Sequence, residues 1–265
     1  MMDQIVSPPS AANSAEQSDF VTAFARGLEV IRALGAEGPS ATLAEIARRV
    51  DLPRATVRRS LITLESLGYV KTEGKVFALT PQILSLGYSY LISSPLARAS
   101  QPYLQSLSST LNEPSATAIL NGDEVVLLVR VPVEGPVNPG IPVGSCYPAY
   151  CTATGRVLMG NQPDYIIEDY LSRLKPRAIT SQTTTDPQKI RSTIFEARKQ
   201  GYSINEEETE IGVRVISVPI ENTKRSVIGA INVTAPVNRI SASEMTNRFL
   251  PVMRKKACEI GAALR

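Results

Sequence analysis

Apolar residues at Phe24, Leu28, Ile31 and Leu34 follow three- and four-residue steps, which predict a helix over Asp19–Leu34. Ser18 or Asp19 would cap it, and Gly35 and Gly38-Pro39 would end it. The rhythm returns at Leu43, Ile46, Ala47 and Val50, behind Thr42-Leu-Ala-Glu45, whose Thr and Glu are placed to cap each other's backbone N–H. Asp51-Leu52-Pro53 breaks it, because a residue before Pro disfavours helix while Pro suits a first turn. A second apolar face follows at Val57, Leu61, Leu64 and Leu67, and Gly68 stops it. Then the period shortens: Tyr69–Thr72 and Lys75–Leu79 flank Glu73-Gly74 and read as a hairpin.

Thr80-Pro81 opens a helix to about Ile92 that is apolar on more than one side (Leu84, Leu86, Tyr88, Tyr90, Leu91). Such a helix packs on another subunit or is buried within its own chain. Leu96–Leu111 is helical. Ser115–Leu120 and Glu124–Val131 form a hairpin about Asn121-Gly122-Asp123. A Gly-Ser-Cys-Tyr-Pro loop precedes a helix near Thr154–Met159; Pro163–Leu174 and Asp186–Gln200 are helical; Ile216–Ile220 and Val227–Val233 are strands; Ala242–Leu264 is a closing helix. The expected fold is α+β with a mostly antiparallel sheet. The expected divisions are a disordered Ser/Ala/Pro/Gln-rich tail over 1–18, a winged helix-turn-helix over 19–80, a linker helix over 81–94 and a second domain over 95–265.

The polar side of the second short helix carries Arg54, Thr56, Arg58, Arg59, Ser60 and Thr63, with no acid before Glu65. Guanidinium groups bridge guanine O6 and N7, and hydroxyls reach bases or phosphates, so this face suits a DNA major groove. Lys71 and Lys75 on the hairpin are candidate phosphate contacts. Total charge adds little, since the whole chain of 265 residues is only +3. Placement on one helix carries the reading.

Composition excludes much. There is no histidine, which rules out Ser-His-Asp and Cys-His catalysis and any His-ligated metal. No cofactor motif appears, and no catalytic residue, metal ligand or cofactor is expected. Cys146, Cys151 and Cys258 form no Cys-x-x-Cys pair and read as reduced thiols of a cytoplasmic protein. No run approaches the ~18 apolar residues of a membrane helix.

Four blocks together resemble the IclR-type transcriptional regulators, over about Phe20 to Arg265. They are Arg26-Gly27-Leu28-Glu29-Val30-Ile31; the helix-turn-helix with Leu67-Gly68-Tyr69-Val70; Pro148-Ala-Tyr-Cys-Thr-Ala-Thr-Gly-Arg156; and Gly201–Gly212 running into Ile216-Ser-Val-Pro219. The third block, with Leu79-Thr-Pro81 and Leu86-Gly-Tyr88, looks most like the branch controlling aromatic-acid breakdown through β-ketoadipate. The resemblance implies a winged helix-turn-helix on an operator in double-stranded DNA, a dimerising linker helix and a GAF-like effector domain. It also implies a homodimer or dimer of dimers, and a small organic acid as effector. Carried over by motif position, it places the effector against Ala153, Thr154, Asn205, Val215, Ser217, Asn232 and Thr234. Arg156 either adds charge there or pairs with Glu208 or Glu210. The chain departs from that branch where it usually reads Gly-x-Arg-Leu-Pro: here Gly144-Ser-Cys-Tyr-Pro148 lacks the Arg. Cys151 reads as a small packed residue, and Glu206-Glu207-Glu208 with Glu210 as a solvated loop plus a structural ion pair. Two other classes compete with the regulator: an enzyme fused to a nucleic-acid-binding domain, and a DNA-binding protein that takes no ligand.

Overall fold

The computed structural model describes residues 20–36, 38–133 and 141–264. The expected tail over 1–18 and the capping residues Ser18 and Asp19 lie outside them. The described residues separate into two compact units, one ending at Tyr90 and one beginning at Leu91.

The first unit contains α1 (Thr22–Ala36), β1 (Ala41–Thr42), α2 (Leu43–Arg49), α3 (Arg54–Ser66), β2 (Val70–Glu73) and β3 (Val76–Leu79). The capping box at α2 is formed: Glu45 N donates to Thr42 Oγ1 at 3.3 Å, and Thr42 N donates to Glu45 Oε2 at 2.7 Å. These bonds to Thr42 hold the Glu45 carboxyl below its usual range. At the end of α3, Gly68 takes φ +81° and Tyr69 N donates to Leu64 O at 2.9 Å, which closes the last turn. The core is Val30, Ala33 and Leu34 of α1 against Ile46, Ala47, Val57, Leu61 and Leu64. The expected α1 face is corrected here: Phe24 and Leu28 are exposed, because α1 is apolar on two sides and the Val30–Leu34 side meets α3. Leu67, at the C-cap, is exposed as well. β1, β3 and β2 form a small antiparallel sheet, so the hairpin gains a third strand too short to leave a sequence signal.

A 3₁₀ turn at Pro81–Ile83 leads into α4 (Leu84–Ser93), no residue of which is buried. The second unit is built on α5 (Pro95–Leu111), β4 (Ser115–Asn121), β5 (Glu124–Val131), β6 (Cys146–Pro148), α6 (Ala153–Gly160), α7 (Asp164–Arg173), α8 (Pro187–Gln200), β7 (Ser203–Glu206), β8 (Val213–Glu221), β9 (Val227–Pro236), α9 (Ala242–Glu244) and α10 (Leu250–Ala263). The sheet order is β6-β5-β4-β9-β8-β7, antiparallel at every pairing. Alternation along the strands sends Ile216, Val218, Ile231 and Val233 toward α5 and α10. The opposite face presents Ala116, Ala118 and Ala230 to the layer of α6, α7 and α8. These small residues admit α6 closely.

Three expectations are corrected in this unit. Cys146–Pro148, expected as loop, pairs with β5 as an edge strand. The run Glu206-Glu207-Glu208, expected as a solvated loop, begins inside the other edge strand, Ser203–Glu206, and Glu208 beyond it is buried. The closing helix is not continuous: a π turn at Met245–Phe249 separates α9 from α10. Pro251 accounts for it, having no N–H to give and a ring that crowds the preceding turn.

Candidate functional site

In the first unit, α3 turns Val57, Leu61 and Leu64 into the core and leaves Arg54, Arg58, Arg59 and Thr63 exposed, with Thr56 and Ser60 half-buried. Among the described residues, no hydrogen bond or ion pair engages the Arg54, Arg58 or Arg59 side chains. The Thr63 hydroxyl donates to Arg59 O at 3.0 Å and keeps its lone pairs for an incoming donor. Lys71 and Lys75 are exposed on the hairpin, but Lys71 Nζ already lies 2.6 Å from Glu73 Oε1. That contact lowers the Glu73 pKa. An approaching phosphate must compete with it, so Lys75 is the freer cation.

The second unit holds a cavity of about 490 Å³ on the α6 side of the sheet. Register decides which residues face it. Val213 pairs with Pro236 and Val215 with Thr234, so these and Asn232 share a face. All five line the cavity, as do Ala153, Thr154 and Asn205. Ser217 shares that face but is fully buried, its hydroxyl donating to Ile231 O at 3.0 Å, and it does not reach the lining. Arg156 is outside the lining too. Its Nη1 lies 2.7 Å from Glu208 Oε1, its Nη2 donates to Glu208 Oε2 at 2.8 Å, and its Nε donates to Tyr150 O at 3.1 Å. Of the two roles open to Arg156, the pair with Glu208 is the one formed.

That pair is the hub that aims α6. Glu208 Oε2 also accepts from Thr184 N at 3.0 Å and Oε1 from Asn205 Nδ2 at 3.1 Å, while Asn205 Nδ2 bonds Cys151 O at 2.6 Å. Loop, edge strand and helix start are tied at one point. Thr152 caps α6, its hydroxyl accepting from Gly155 N at 2.9 Å. The first N–H groups of a helix lack intrahelical partners, and Ala153 and Thr154, which begin α6, both line the cavity. Gly155 lets this start press on Ala149, whose backbone a Cβ would overlap. Asn232 Nδ2 donates to Thr154 Oγ1 at 3.1 Å, joining helix to sheet on the wall itself. Cys151 is fully buried, and burial pushes its thiol up to about 12, so it is packed rather than reactive.

The cavity also contains residues the sequence reading missed: Glu113, Arg130, Tyr147, Glu210 and Arg239. Arg130 left a signal, as the single charge in the apolar run Val125–Val131. Burial lowers its pKa. Burial and Glu210 raise that of Tyr147, against Arg130. No guanidinium comes from position 146, where the resemblance expects one; the Cys146 thiol donates to Gly144 O at 3.6 Å.

Residues 23–74 match the family described as the IclR helix-turn-helix domain, and residues 88–262 match the bacterial transcriptional regulator IclR C-terminal family. The chain is 39% identical over 256 residues to the Pca regulon regulatory protein of Pseudomonas putida, covering 94% of this chain and 88% of that one. A transcriptional regulator from Rhodococcus sp. RHA1 superposes with TM-score 0.80 at 38% identity, over 92% of this chain and 98% of that one. An IclR homolog of Microbacterium hydrocarbonoxydans, solved with 4-hydroxybenzoate, shares the fold at 22% identity, with TM-score 0.76 over 92% and 99% of the two chains.

Proposed function

The chain belongs to the IclR family of bacterial transcriptional regulators, and from that premise we propose that it switches genes of aromatic-acid catabolism in response to a small organic acid held in the second unit. The observation that carries the ligand reading is the largely apolar cavity onto whose wall α6 opens. Its N–H groups, Thr154 and Asn232 give a short arc of polar contacts, and Val125, Leu127, Ile141 and Val215 offer walls for a ring or an alkyl chain. The 4-hydroxybenzoate found in the Microbacterium homolog supports an aromatic acid as the first ligand to try.

In this reading α3 enters the major groove of an operator, with Arg54, Arg58 and Arg59 as its strongest contacts and Lys75 on a flanking phosphate. Residues 19–80 form the DNA-binding domain, 81–94 the linker and 95–265 the effector domain, in a cytoplasmic protein. No helix among the described residues is long and apolar enough to cross a membrane. Two exposed apolar strips, Phe20 and Phe24 at the start of α1 and Leu84, Tyr88 and Tyr90 on α4, favour assembly into a homodimer or a dimer of dimers. Sedimentation of the full chain at micromolar concentration is expected to give a dimer or tetramer; a monomer there would leave these strips without that role. The comparisons favour a regulator over an enzyme, and the absence of histidine removes the commonest acid–base group.

The test is fluorescence anisotropy of the full chain on its own upstream intergenic DNA at fixed salt, with 4-hydroxybenzoate, protocatechuate or β-ketoadipate added in turn. Sequence-preferring binding that one acid shifts is the expected result. Binding that ignores every acid would sink the ligand reading, and binding no tighter than to random DNA would sink the operator reading.

A further inference from the structure

The cavity has a second polar end. Asn232, Thr234 and Pro236 face it from β9, and four residues of strand place Asn232 and Pro236 about 13 Å apart. Thr154 and Asn232 mark one end. Past Pro236, Arg239 lines the cavity and meets Glu113, which stands just ahead of β4. Arg239 Nη2 donates to Glu113 Oε2 at 2.9 Å. Nη1 lies 2.8 Å from Oε1 but off the hydrogen-bond direction, so that oxygen is ion-paired and accepts no hydrogen bond. The partners are unequally placed: the Glu113 side chain is 2% exposed and that of Arg239 52%. Glu113 therefore engages only one edge of the five-donor guanidinium fork and orients the remainder.

Building on the effector-site reading above, we infer that Arg239 is the carboxylate anchor of this cavity, positioned by Glu113. A ligand carboxylate on the remaining edge of Arg239 shares its charge with Glu113 and weakens that ion pair, and Glu113 then takes up one proton from solvent. The ligand class this selects is an acid whose carboxylate lies at the Arg239 end and whose ring or chain reaches toward Thr154 and Asn232.

The surrounding charges agree. Burial raises the Glu113 carboxyl above its usual range, and Arg239, then Arg248 from the π turn, oppose that rise. Arg130, Tyr147 and Glu210 are the other titratable groups on the cavity. Binding thus draws a proton between the free and liganded pKa values of Glu113. Affinity rises as pH falls through that window, approaching about tenfold per pH unit at its steepest.

The experiment is isothermal titration calorimetry of the full chain at pH 7, in phosphate and in Tris, whose ionisation enthalpies differ. The ligands are the three acids named above, together with 4-hydroxybenzamide as the uncharged counterpart of 4-hydroxybenzoate. Expected for the native chain is uptake of up to about one proton per acid bound and a clear preference for 4-hydroxybenzoate over its amide. Glu113→Gln is expected to bind the acids with altered affinity and without the proton uptake. The double variant Glu113→Gln/Arg239→Gln, which leaves no buried charge unpaired, is expected to lose the preference for acid over amide. No uptake in the native chain, uptake that persists in Glu113→Gln, or an acid preference that survives in the double variant would each overturn the assignment. Failure of all three acids to bind would remove the effector-site reading as well, whereas binding without proton uptake removes only the anchor.

Discussion

Arg156→Ala is expected to destabilise the second unit by about 3–5 kcal/mol, the cost of leaving a buried charge without its partner. Arg156 and Glu208 are both almost fully buried, 4% and 9% exposed at the side chain, and bonded through both guanidinium arms. Without the guanidinium, Glu208 keeps only neutral donors, Thr184 N and Asn205 Nδ2. Its buried carboxylate then has no cationic partner. The loss reaches function because the same cluster holds Cys151 O and, through Arg156 Nε, Tyr150 O, the segment that delivers the start of α6 to the cavity. Urea denaturation of the full chain is the measurement, with Arg156→Met/Glu208→Leu as control. An apolar pair of similar volume is often tolerated, so the double variant should recover much of the stability. A single variant as stable as the native chain would show that the pair does not hold the unit together.

Arg58→Ala/Arg59→Ala is expected to cost about 2–6 kcal/mol of operator affinity, taking each base-edge contact at roughly 1–3 kcal/mol. Both side chains are exposed on α3, and the core of the first unit rests on Val57, Leu61 and Leu64 instead. The helical signal and thermal midpoint should therefore stay near native. Anisotropy on operator and random DNA separates the two kinds of contact. If the arginines read bases, operator affinity falls further than random-DNA affinity; if they touch only phosphate, both fall together and the salt slope flattens. Operator binding equal to that of the native chain would refute α3 as the recognition helix.

The difference between what the sequence tells and what it hides follows interaction range. The first unit was legible because its signals are local: a cap and its glutamate three residues apart, a glycine that must take positive φ after Leu67, an apolar step of three and four. Even there the buried side of α1 was misread, since Phe24 and Val30 belong to different helical faces and only contact with α3 selects one. The edge strands Cys146–Pro148 and Ser203–Glu206 were missed because each is short, carries no alternation and exists only through its partner.

The cavity divides in the same way. The resemblance supplied Ala153, Thr154, Asn205, Val215, Asn232 and Thr234 by motif position, and all six lie on the lining, the first two through the start of α6 and the other four through strand register. It also supplied Ser217, which satisfies itself inside the unit, while Arg156, open between the site and a pair with Glu208 or Glu210, takes the pair with Glu208. Glu113 and Arg239 escaped altogether, 126 positions apart with no motif between them.

By itself, then, the sequence determined the elements whose stabilising bonds close within a few residues, the polar face of α3 and the absence of histidine chemistry. Tertiary structure alone decided which apolar faces are buried and which strand edges pair. It also decided which charged groups neutralise one another and which remain to meet a ligand. The physical reason is that burial and charge pairing depend on distance in space, and only the folded sheet brings β4, β9 and α6 to one wall.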